Sequence, residues 1–103
     1  MKIRAIILAG LGALLAGAAA SGPQPAASEL AGRLGCFACH ALAGRGGKIA
    51  VPLDGAGARL TPAQLQTVLT QPRQIHPRAK MPSYAYLPQE EQQALVNFLQ
   101  GLR

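Results

Sequence analysis

The 103-residue sequence predicts a small domain of helices and loops, and three observations carry that expectation. Apolar residues recur at helical spacing in three places: Leu30, Ala31 and Leu34; Leu65, Val68 and Leu69; and Leu95, Phe98, Leu99 and Leu102. No clear strand and no internal repeat is visible. Both cysteines of the chain fall in one pentapeptide, Cys36-Phe37-Ala38-Cys39-His40, around which the rest is arranged.

The chain opens on basic Met1-Lys2-Ile3-Arg4, continues apolar from Ala5 to Gly17, and reaches small residues at Ala18-Ala19-Ala20. That is the pattern of an export signal cut near Ala20. The competing reading, an uncleaved membrane anchor, is disfavoured because the apolar run falls short of the ~20 residues a span requires and glycines interrupt it. The expected organisation is therefore a signal peptide over 1–20, a flexible leader over 21–27 with Pro23 and Pro25, and one domain over 28–103. Removing Lys2 and Arg4 takes 10 basic residues to 8 against 4 acidic, a net +4. With an exported location, sparse aromatics and no basic motif, nucleic acid is not the expected partner. The positive surplus suits an acidic protein surface instead.

Ser28 can cap a first helix that runs through Leu34, and Gly35 stops it before Cys36. Two thiols separated by two residues lie about one helical turn apart, which suits them to bond the two vinyl groups on one edge of a haem. A histidine directly after the second thiol is brought beneath the porphyrin face, where it can bind the iron. Two blander readings compete. A redox dithiol belongs with a sheet-and-helix domain, and no β-α-β pattern follows here. A zinc site takes four ligands, and His76 is the only further candidate of the right kind, far off in a proline-rich segment. A covalent haem also supplies what a domain of about 80 residues without tryptophan lacks, an apolar plate for Leu, Val and Ile to pack against.

Ala41 to Lys48, with Gly44, Gly46 and Gly47, reads as a loop running close along the haem edge, and Ile49 to Leu53 can cover one haem face. His40 needs an acceptor for its second ring nitrogen, and a backbone carbonyl near Pro52 is the candidate. Thr61-Pro62-Ala63-Gln64 starts the second long helix with threonine as cap, proline in the first turn and glutamine closing a capping box; Pro72 ends it. From Gln71 to Pro88 four prolines predict an irregular, stiff loop. A last helix runs from Pro88 to about Leu102, with Glu90 and Glu91 at its positive end, Phe98 as its large anchor, and the small Ala27 and Ala31 where it crosses the first helix.

The second axial ligand decides the function. Lys48, His76, Lys80 and Met81 are available. A thioether favours ferrous iron relative to a nitrogen ligand, and Pro82 stiffens the loop that carries Met81. A lone methionine is as readily a core filler, so the residues alone leave the choice open. Taken together, Cys36 to His40, Met81-Pro82-Ser83-Tyr84 and the closing Leu95-Val96-Asn97-Phe98-Leu99 resemble a small monohaem class I cytochrome c over residues 28–103.

The resemblance implies an all-α fold, three to five helices packed around one covalently bound haem c. It implies His40 and Met81 as proximal and distal iron ligands, Cys36 and Cys39 as thioether attachments, and electron transfer as the activity. Members usually carry Gly-Pro-x-Leu after the haem motif, whereas Val51-Pro52-Leu53 shifts the leucine here. The expected protein is thus a periplasmic electron carrier with no substrate of its own. Arg45, Lys48, Arg78 and Lys80 would rim the haem edge, Arg59 would pair with a propionate, and Tyr84 or Tyr86 would either donate to the methionine sulfur or a propionate or serve as packing. Two alternatives stay open: the haem subunit of a dehydrogenase or oxidase complex, and a gas-binding or peroxidatic haem protein with an open distal site.

Overall fold

A computed structural model describes residues 26–103; the expected signal peptide and all but the end of the expected leader lie outside the described residues. The order is α1 (Ala27–Leu34), α2 (Cys36–Cys39), a ribbon of β1 (Ala41–Leu42) and β2 (Arg45–Gly46), α3 (Ala56–Arg59), α4 (Pro62–Thr70), α5 (Pro72–Ile75) and α6 (Gln89–Gln100). The fold is all-α in character. Three of the helices are single four-residue turns, which takes the count among the described residues past the expected three to five.

α1 begins one residue before the expected cap. Ala26 offers no side-chain cap, and its carbonyl instead accepts from Glu29 N at 2.8 Å and Leu30 N at 3.2 Å, so the turn closes on backbone alone and Ser28 lies inside the helix. Gly35 ends α1 at φ 89°, as expected of a glycine stop, and its N–H returns to the carbonyls of Ala31 and Gly32. The loop expected after His40 contains an antiparallel ribbon pairing Ala41 with Gly46 and Leu42 with Arg45. Its two turn residues, Ala43 at φ 53° and Gly44 at φ 83°, both take the left-handed conformation that a tight two-residue hairpin needs. The Asp54 carboxylate accepts the Ala43 N–H at 3.0 and 3.2 Å, holding an alanine where glycine or asparagine would sit more easily.

The capping box of α4 is present as read: Thr61 Oγ1 accepts from Gln64 N and Gln64 Oε1 from Thr61 N. Pro72 does more than stop α4, because it opens the short α5 and is itself buried. A proline in the first turn has no N–H to lose there, which is why the expected irregular loop starts with a helical turn. α6 packs on α1, α3 and α4. The core gathers Leu30 and Ala31 from α1, Leu65 and Leu69 from α4, Leu95 and Val96 from α6, and Tyr84 and Leu87 from the segment before α6. The expected anchor Phe98 is only half-buried against this cluster. The buried stripe of α6 is Gln92, Leu95 and Val96, so the helix is turned to put Leu95 and Val96 at its centre and Phe98 on its flank.

Candidate haem site

Cys36 to Cys39 form one turn of helix entered from left-handed Gly35, and the Cys36 carbonyl closes the turn by accepting His40 N at 3.0 Å. His40 then leaves in extended conformation, φ −109° and ψ 134°. This turn is clamped by backbone rungs from the loop that follows. Gly47 N donates to Phe37 O, Ala50 N to Cys39 O and Leu53 N to Ala41 O, at 2.8 to 2.9 Å. Gly47 is required by contact: a Cβ there would run into the Ala38 carbonyl.

The His40 Nδ1 bonds the Val51 carbonyl at 2.5 Å. A carbonyl only accepts, so the proton is on Nδ1 and the Nε2 lone pair is left for a metal. The acceptor was expected near Pro52; it is the residue before. The Pro52 carbonyl turns the other way and accepts from Arg59 Nη2 at 3.1 Å, while Arg59 Nη1 donates to Asp54 O at 2.6 Å. Arg59, expected at a propionate, here braces the bend that presents Val51. Ile49 and Val51, expected over a haem face, are 85% and 55% exposed.

Met81 lies far along the chain, yet it and Cys36 pack against the same apolar cluster. The other candidates for a second ligand, Lys48, His76 and Lys80, are exposed, and His76 lines an open hollow with Pro77, Arg78 and Ala79. Arg73 Nη1 reaches the carbonyls of Ala79 at 3.2 Å and Met81 at 3.5 Å. After Met81, Ser83 Oγ donates to Thr70 O at 2.6 Å and Tyr84 N to Leu69 O at 2.7 Å. The Tyr84 hydroxyl, expected to serve the sulfur or a propionate, donates instead to Leu34 O at 3.2 Å, stitching this segment to the end of α1. Tyr84 is buried, and that burial pushes its phenol above the usual range. Tyr86 stays 73% exposed.

The donor set fits a covalently held haem better than its rivals. Burial pushes the Cys36 thiol up, the opposite of the depressed value that marks an attacking redox cysteine. Among the described residues no group of three or more His, Cys, Asp or Glu side chains is placed to hold a metal ion. What remains is two free thiols on one turn, Cys39 exposed and Cys36 half-buried, with an imidazole beside them whose tautomer is set.

Sequence reading missed the Val51 carbonyl, Asp54, Ser83 and Gln92. Gln92 had a visible signal, a polar residue three and four positions before Leu95 and Val96 on the apolar stripe of α6. A family model described as Cytochrome c matches residues 24–103. No curated protein matches the chain.

Proposed function

The chain belongs to the cytochrome c family, and from that premise we propose a periplasmic one-electron carrier whose iron is held between His40 and Met81. Its cofactor is haem c and its chemistry electron transfer. When bound, the haem supplies the ferrous and ferric states between which the electron moves.

The chain's own residues do the remainder in this reading. Cys36 and Cys39 tether the group through thioethers. His40 offers Nε2, made more basic by the Nδ1 hydrogen bond to Val51 O. Met81 offers a soft thioether, and the apolar cluster behind it keeps water from the iron. Arg45, Lys48, Arg78 and Lys80 are exposed and would draw an acidic redox partner. Export would follow from residues 1–20; among the described residues no helix is long and apolar enough to cross a membrane.

The observation that supports the reading most is the convergence of Cys36 and Met81 on one apolar cluster. The test is carbon monoxide binding to the reduced holoprotein. The unaltered protein is expected to exclude the gas and Met81→Ala to bind it readily, with loss of the ferric iron–thioether absorption band. Rapid binding by the unaltered protein would reject Met81 and favour an open-site haem protein.

A further inference from the structure

Gln92 is the buried polar side chain of the core, 7% exposed, and its carboxamide is fully engaged. Nε2 donates to Leu87 O at 2.9 Å and to Ala85 O at 3.2 Å, and Oε1 accepts from Gln66 Nε2 at 2.6 Å. These bonds close a ring. Ala85 N donates to Ser83 Oγ at 3.1 Å, Ser83 Oγ to Thr70 O at 2.6 Å, and Thr70 Oγ1 to Gln66 O at 2.9 Å. From Gln66 the path returns through Gln92 to the Ala85 carbonyl. Both the N–H and the C=O of Ala85, four residues after Met81, are thereby tied to α4 and α6.

The other side of Met81 is held differently. Residues 76–80 are mostly exposed, and Arg73, itself exposed, supplies the side-chain bonds to that stretch. The segment carrying Met81 therefore has a downstream anchor of mostly part-buried bonds built on the buried Gln92 carboxamide, and an upstream one of exposed bonds. A buried hydrogen bond resists exchange with water, and an exposed one does not.

We propose that Gln92 is a positioning residue for the distal ligand: by closing the ring on Ala85 it fixes the downstream anchor from which Met81 is presented to the iron. It never touches the sulfur. It restricts the excursions through which the thioether leaves and an external ligand enters. This rests on Met81 being the distal ligand, and the experiment separates the two claims.

Imidazole is titrated into the ferric holoprotein while the iron–thioether band is followed. Gln92→Leu keeps the volume and removes the three bonds, and is expected to raise imidazole affinity about tenfold, equivalent to ~1.4 kcal/mol. Gln66→Ala, at a half-buried position on α4, removes only the bond to Oε1 and is expected to give about threefold. It also keeps the test open should the first variant fold poorly. Gln93→Leu, exposed and bonded only to Asn97, is expected to change nothing. Ala56→Gly, buried on α3 and outside the cluster behind Met81, is expected to lower global stability without moving imidazole affinity, which separates positioning from general loosening. A band present in the unaltered protein, with imidazole affinity unmoved in both Gln92→Leu and Gln66→Ala, would overturn the inference alone. Absence of the band from the unaltered protein would remove Met81 as ligand and the inference with it.

Discussion

The two sides of the candidate haem site are built from different materials. The His40 side is made of backbone: three rungs from Gly47, Ala50 and Leu53 grip the Cys-x-x-Cys-His turn and its exit, and the imidazole itself leans on a main-chain carbonyl. On the Met81 side the fastenings are largely side chains, Arg73, Ser83, Tyr84 and Gln92, which link it to four different helices or their ends, α5, α4, α1 and α6. Backbone rungs survive most substitutions because every residue but proline carries the same groups. Side-chain fastenings can be lost one at a time. The His40 side is thus expected to tolerate sequence change, and the Met81 side to be adjustable by it.

Gly47→Ala should break that contrast most forcefully, since it attacks the backbone-built side at a sterically closed position. The added Cβ meets backbone, at Ala38, which cannot swing aside. A loss of about 1–3 kcal/mol is expected in denaturant unfolding of the holoprotein, and an unchanged midpoint would show that the loop gives way freely. Tyr84→Phe comes next, on the opposite side. Losing the hydrogen bond to Leu34 O should cost about 1 kcal/mol near neutral pH.

The same variant has a pH signature. The Tyr84 phenol ordinarily titrates at 10.0 and is raised in the fold, first by burial and then by Tyr86. A raised value means that the contribution of Tyr84 is fully present below its unfolded value and lost as pH climbs through the folded one. Stability should therefore fall above about pH 10 in the unaltered protein, and less so in Tyr84→Phe. Equal alkaline limbs for the two proteins would assign the loss to another group. The smallest effect belongs to Ile49→Ser: at 85% exposure it should shift stability by less than about 0.5 kcal/mol. A larger loss in the holoprotein would mean that Ile49 packs against the haem, as its position in the sequence suggested.

What could be read along the chain was local. The Gly35 stop, the Thr61 and Gln64 capping box and the apolar spacing of α4 depend on groups within a few residues of each other, so the one-dimensional pattern contains them. Whether His40 would lean on residue 51 or 52 depended on how a bend turns, and one residue of register reverses which carbonyl faces the ring. α5 was hidden because the proline that ends one helix is equally suited to begin another. The Tyr84 hydroxyl found its acceptor at Leu34, a pairing that no local pattern announces.

The amino-acid order by itself determined the chemistry on offer: two thiols one turn apart with an imidazole following, a lone thioether ahead of a proline, and helices enough to surround a flat cofactor. Each is a property of neighbours in the chain, set by covalent spacing and by bonds from one turn to the next. Only the tertiary structure decided how those groups are held, with Val51 as the acceptor behind His40, Arg59 as a brace for the bend, and Gln92 as the fastening behind the methionine segment. Those choices depend on which elements pack together, and a buried polar group takes whatever partner that packing leaves within reach.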